Sequence, residues 1–185
     1  TTTEDELNED GDCSLREAIE SANKNIQIDN CSAGQQGSDV IVFNQDDIGG
    51  FTYDISNKGS SEDSNSTGDF DILEDLTIVG CGPSSTIINA QDEDRVFHIL
   101  GAATEVNFRG ITIKNGTVTG DYGGLIYNEG NLNLTFVTLS DGEAIGDNGD
   151  NKKSPSGGGG GGGAGLGGAI YNSGTVTLES NASGA

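Results

Sequence analysis

Gly123–Leu134 reads GGLIYNEGNLNL, and Gly167–Leu178 reads GGAIYNSGTVTL. Both fit the pattern G-G-x-I-Y-N-x-G-x-x-x-L, offset by 44 residues. Each unit is a glycine turn, a short β-prone run, a second glycine turn and another β-prone run. Self-similarity at a fixed spacing marks stacked structural units, none of which can bury its apolar side alone. The spacing fits either two solenoid turns of about 20 residues or one turn carrying an insertion. The insertion fits better, because 146–166 contains the low-complexity stretch SPSGGGGGGGAGL. In such a stack Ile126 and Ile170 point into the core, and Asn128 and Asn172 occupy equivalent corners.

The composition agrees with a narrow stack. Of 185 residues, 31 are glycine and only 32% are hydrophobic. A column of turns needs many corners with φ > 0 and little apolar core. The chain carries 30 Asp+Glu against 8 Lys+Arg, a net charge of −22. Nucleic acid is excluded as a partner, since phosphate would be repelled and no basic cluster exists. No apolar run approaches the roughly 18 to 20 residues of a membrane span.

Outward from the repeat, short β-rich runs alternate with Gly, Asn, Asp and Ser. They cover 39–43, 51–55, 70–73, 76–79, 86–89, 96–100, 106–108, 111–114, 125–127, 132–139, 169–171 and 176–178. One segment reads as helix. Ser14-Leu15-Arg16-Glu17 fits a capping box, and Leu15, Ala18, Ile19 and Ala22 form one apolar stripe. A helix this short needs a surface to lie on. Among the three cysteines, an oxidising compartment would pair Cys13 with Cys31 across a short acidic segment. Cys81 is then left over, and a buried, inert thiol is expected there. The start at Thr1 is consistent with a processed, exported chain. Sequons lie at Asn65, Asn115, Asn133 and Asn181 and matter only in a glycosylating host.

The segment DCSLREAIESAN at 12–23 resembles the opening signature of CSLREA-type proteins. Cys31, SDVIVFN at 38–44, TGDFDI at 67–72, LTIVGCG at 76–82, DRVFHI at 94–99 and the GGxIYN units agree in order. The GGxIYN units are also similar to repeats of polymorphic outer-membrane proteins and pectate-lyase-like solenoids. Cys81 and the long polyglycine run depart from that pattern. The resemblance implies an exported, all-β, right-handed single-stranded parallel β-helix with a short N-terminal capping α-helix, and implies little about chemistry. One domain over 1–185 is expected, with a capping helix at 12–25 and turns over 39–145. A Gly-rich insertion loop at 146–166 and a final, uncapped turn at 167–185 complete it.

Enzymes of this architecture need converging carboxylates. Asp69 and Asp71 alternate on one strand face, Asp92, Glu93 and Asp94 precede Arg95, and His98 follows. The expected roles are structural: turn and edge residues for Asp69 and Asp71, an ion partner for Arg95, a strand residue for His98. G-D-D and G-H-G motifs of polygalacturonase type are absent, and fold alone licenses no activity. A polysaccharide lyase or glycoside hydrolase therefore stands last among the readings. The Thr residues keep no fixed turn-to-turn register, which argues against an ice-binding ladder.

No cofactor is required, and Ca²⁺ is the ion considered. Asn8, Asp10 and Asp12 alternate oxygen ligands around Gly11 as in the first half of a Ca²⁺ loop, but the twelfth position is Ile19. Glu17 is committed to the helix cap. Glu62, Asp63, Asp69 and Asp71 form a second acidic cluster.

The leading expectation is a non-catalytic structural protein of the cell surface, self-associating end to end. Thr1, Thr2 and Thr3 are the candidate donated strand, and Val176 and Leu178 lie at the open end. A piece of a longer surface protein is the competing account of that end. The alternative function is a carbohydrate-binding adhesin that uses Asp, Asn and Tyr on one solenoid face. Tyr53, Tyr122, Tyr127 and Tyr171 are its large amphipathic groups, although Tyr127 and Tyr171 read first as repeat-corner residues.

Overall fold

The computed structural model describes residues 2–43, 50–59, 62–147 and 163–179. Expectations placed on Thr1, on 148–162 of the glycine-rich insertion and on Asn181 lie outside the described residues. Helix α1 (Leu15–Lys24) comes first, followed by β1 (Asp39–Val42), β2 (Phe51–Asp54) and β3 (Phe70–Ile72). The next turn holds β4 (Leu76–Val79), β5 (Thr86–Asn89) and β6 (Phe97–Ile99). A third holds β7 (Glu105–Arg109), β8 (Thr112–Thr119) and β9 (Ile126–Asn128). Then come β10 (Asn131–Thr135), β11 (Thr138–Ile145), β12 (Ile170–Asn172) and β13 (Thr175–Glu179).

Every strand pairs in parallel with the strand three places along the chain. The first sheet is β1-β4-β7-β10-β13, the second is β2-β5-β8-β11, and the third is β3-β6-β9-β12. The architecture is thus mostly β: three parallel sheets and one short helix. Successive turns stack in register, so like residues form columns along the interior. Ile41, Ile78, Phe108, Leu134 and Leu178 make one column, and Phe70, Phe97, Ile126 and Ile170 another. Rings of Phe70, Phe97 and Phe108 touch across the interior, 5.6 Å and 4.6 Å apart.

The paired strands β9 and β12 carry the two IYN triplets, so the 44-residue repeat is a single turn with an insertion between β11 and β12. Ordinary turns are longer than the expected 20 residues. Leu76 pairs with Val106 and Val106 with Leu132, which are 30 and 26 residues apart. At the repeat's first glycine, Gly123 and Gly167 both have positive φ, 69° and 67°. A Cβ there would meet the carbonyl oxygens of Ile126 and Ile170 at 2.3 and 2.5 Å, so only glycine fits either corner.

Two local expectations are corrected. The run 132–139 is not one strand: Phe136 adopts φ 54°, and the chain turns there from the first sheet into the second. Cys81 is exposed rather than buried, because it lies at the corner after β4; its thiol donates to the Phe43 carbonyl at 3.6 Å.

Helix α1 packs on β1 and β3, covering the first turn. Ser14 and Glu17 form the reciprocal capping box, and Asn25 ends the helix in the left-handed conformation. Arg16, fully buried, binds this end together. Its guanidinium donates to both carboxylate oxygens of Asp5 and to the carbonyls of Asn65, Gly68 and Asp69, and it lies 4.7 Å over the Phe70 ring. Cys13 and Cys31 are bonded, with Cα atoms 5.0 Å apart. Thr2 and Thr3 lie in irregular chain at this end, where Thr2 donates its N–H to the Cys13 carbonyl of its own chain.

Candidate functional site

The third sheet carries the site. Its strands are triplets whose side chains alternate between the two faces: Phe-Asp-Ile in β3, Phe-His-Ile in β6, and Ile-Tyr-Asn in both β9 and β12. Outer residues of each triplet face the interior, so the middle residues Asp71, His98, Tyr127 and Tyr171 form one outward column. Beside it, the apolar column of Ile72 and Ile99 changes to Asn128 and Asn172. Asn128 is fully buried and donates to Asn172 Oδ1 at 2.6 Å and to the carbonyls of Gly130 and Thr175.

Asp71 points outward yet is fully buried, because the 62–67 segment folds over it. Its Oδ2 accepts from the Asn65 N–H at 2.8 Å, while Oδ1 is buried without a hydrogen bond. Glu62 holds that segment closed, accepting from the N–H groups of Ser64, Ser66 and Thr67 and from the Ser64 hydroxyl. Burial acts to raise the Glu62 pKa, but these donors overcome it and bring the carboxyl down to about 2. Asn65 itself is fully buried, its amide donating to Arg16 O and Glu20 Oε2, which closes that sequon.

His98 lies under the same segment, 8% exposed, with its ring stacked on Tyr127 at 4.7 Å. Its Nδ1 stands 3.3 Å from Asp63 Oδ1 and 3.5 Å from Asp71 Oδ1. Burial works against the imidazolium, but the contact with Asp71 and the charges of Asp69 and Asp71 prevail over Arg95 and raise its pKa. His98 is therefore more than a strand residue.

Arg95 fills the neighbouring position. Its Nη1 donates to Tyr122 O at 2.8 Å and its Nη2 to Asp121 at 2.6 Å. Nε stands 2.7 Å from Asp69 Oδ2, an ion pair by distance without hydrogen-bond alignment. Burial pushes the Asp69 carboxyl up to about 7, with Asp94 and Asp71 adding to it and Arg95 opposing. Asp69 and Asp71 are thus buried groups in a polar network, where turn and edge positions were expected.

Tyrosines extend the surface away from the helix. Tyr122 stacks on Tyr171 at 4.6 Å, and Tyr127 meets both edge-on, at 6.3 and 5.3 Å. Tyr53 is apart from them, buried against Phe43. Next to Arg95, an open groove of about 410 Å³ is lined by Asp92, Asp94, Thr117, Thr119 and Asp121 among others.

The two expected calcium clusters come out differently composed. At the first, Glu6 joins Asp10 and Asp12, while Asn8 donates its amide to Glu6 and its N–H to Glu17. Burial and the charges of Asp10, Glu4 and Asp12 push Glu6 upward. At the second, Asp63, Asp71 and His98 converge; Glu62 is engaged by its own loop and Asp69 faces Arg95. Val176 and Leu178 lie on β13, where Leu178 is 72% exposed.

Sequence reasoning passed over Arg16, Asp121 and the alignment of His98 with the tyrosines. The signal available was the triplet series FDI, FHI, IYN and IYN, whose middle residues share one column. Among the described residues, no helix is long and apolar enough to cross a membrane. No protein-family model, curated protein or solved structure matches the chain.

Proposed function

We propose that the chain is an exported, non-catalytic right-handed parallel β-helix of the CSLREA type that binds glycans through the outward face of its third sheet. The rotation of strands through three parallel sheets, the helix over the first turn and the disulfide support the architectural part and an oxidising compartment. One observation carries the functional part. Tyr122, Tyr127 and Tyr171 share an aromatic surface beside the Arg95–Asp121 pair, and that pair lines an open groove. Tyrosine offers an apolar ring face together with a hydroxyl, and the ion pair offers directed donors and acceptors. This is the chemistry that sugar rings require.

Binding is favoured over turnover because Asp69 and Asp71, the two carboxylates on which hydrolysis was weighed, are 5% and 0% exposed and engaged by Arg95 and Asn65. Neutral or amino-sugar glycans are the expected class, since a charge of −22 repels acidic polymers. Affinity electrophoresis through gels containing neutral, basic and acidic polysaccharides tests the proposal, with reducing-sugar release followed in parallel. Retardation by a neutral or amino-sugar polymer that Tyr122→Ala abolishes is expected. Mobility unchanged in every gel would refute it, and sugar release would replace binding by hydrolysis.

Homotypic end-to-end association is the second reading, favoured by the exposed Leu178 at the end of the column that begins with Ile41. Sedimentation at rising concentration tests it. Monomers throughout would sink it.

A further inference from the structure

We propose that Asp63, Asp71 and His98 form a binding site for one divalent transition-metal ion of the zinc type. The three donors come from separate pieces of chain, the 62–67 segment, β3 and β6, and their ligand atoms all lie within 4.8 Å of one another. His98 Nδ1 is 3.3 Å from Asp63 Oδ1 and 3.5 Å from Asp71 Oδ1. Tetrahedral bonds of about 2.0–2.2 Å from one ion to nitrogen and oxygen place the donor atoms about 3.3–3.5 Å apart. Direct hydrogen bonds would draw them closer, to about 2.7–3.2 Å.

The second observation is the burial of one of these donor atoms. Asp71 is fully buried, and its Oδ1, directed at this cluster, has no hydrogen-bond partner. A buried carboxylate oxygen without a partner is costly, and an ion among the three donors would offset that cost. His98 Nε2 is buried without a partner too, which leaves Nδ1 as the nitrogen facing the acidic oxygens. Stacking on Tyr127 holds the ring in that orientation. Asp63 is 67% exposed along its side chain, giving the ion an entrance and leaving the fourth position to water.

Charge and donor type select the ion. Asp63, Asp71 and Asp121 outnumber Arg95 around the site, so a dication is attracted. An imidazole donor with two carboxylates suits zinc and its neighbours, whereas calcium takes oxygen ligands. The site does not depend on glycan binding.

The protein has a single histidine, so its imidazole resonance reports on this site alone. The full chain, stripped by chelator and dialysed, is titrated with Zn²⁺ alone and with Ca²⁺ alone while that resonance is followed. One equivalent of Zn²⁺ is expected to shift it to saturation, and the same concentration of Ca²⁺ to leave it in place. Asp63→Asn, at the surface, should weaken Zn²⁺ by at least the roughly 10- to 100-fold that loss of even an outer partner costs a metal site. Asp10→Asn with Asp12→Asn should change nothing at His98. A resonance indifferent to Zn²⁺, moved equally by Ca²⁺, or equally responsive in Asp63→Asn would overturn the proposal.

Discussion

Replacing Arg16 by methionine should disconnect the helical end from the stacked turns. The guanidinium is fully buried and reaches Asp5 at 2.5 and 3.1 Å, Gly68 O at 2.6 Å and Asp69 O at 3.1 Å. Methionine keeps the packing on Phe70 but leaves the Asp5 carboxylate, 3% exposed, without its cation. Asp5 Oδ2 would retain only the N–H groups of Ser56 and Asn57, each at 2.9 Å. Removing one member of a buried ion pair costs about 3–5 kcal/mol, more than the pair itself is worth, because a charge stays buried. At about 2–4 °C per kcal/mol for a chain of this size, the melting midpoint should fall by about 6–20 °C. Urea unfolding at constant slope measures the same loss independently. Combining Arg16→Met with Asp5→Asn should recover part of it, since the orphaned charge is gone. A loss for Arg16→Met below about 1 kcal/mol, the value of an exposed pair, would refute this reasoning.

Three further perturbations read other parts of the fold. Asn128→Ala orphans the polar groups of the Gly130 corner and should cost about 1–3 kcal/mol in urea unfolding, against less for Asn172→Ala, whose residue is exposed. The Asp69 carboxyl, ordinarily near 3.8 and raised to about 7 in the folded chain, holds a proton that the unfolded chain has released. Wild-type stability should therefore fall as pH rises from about 4 to 7, and Asp69→Asn should flatten that decline; parallel urea midpoints across this range would contradict the assignment. Replacing Cys13 and Cys31 by serine reopens a link with a sequence separation of 18 and should cost about 3 kcal/mol in thermal unfolding under non-reducing conditions.

Local signals were the legible ones. Ser14 and Glu17 satisfy each other within one helical turn, so the cap is readable from four adjacent residues. The IYN repeat identified neighbouring turns because its corners demand glycine. Phe136 escaped notice since a bulky residue at positive φ leaves no compositional trace, and the strand break there went unseen. The outward column was illegible for a different reason. Asp71 and His98 are 27 residues apart, His98 and Tyr127 are 29, and Tyr127 and Tyr171 are 44. With turns of unequal length, register must be known before column partners can be named. The burial of Asp69 and Asp71 likewise depends on the 62–67 segment, whose closure over β3 involves contacts to Arg16 and Glu20.

The corner between β11 and β12 has a practical consequence. The register of β12 on β9 is set by strand pairing, whatever the length of chain between, and doubling a loop costs only about 0.6 kcal/mol. By contrast, β7 and β8 are joined by Gly110 and Ile111 alone, with no slack. The first corner is thus a natural grafting point: a foreign peptide spliced there would be displayed from a rigid β column, with the turns below it left to fold as they do now.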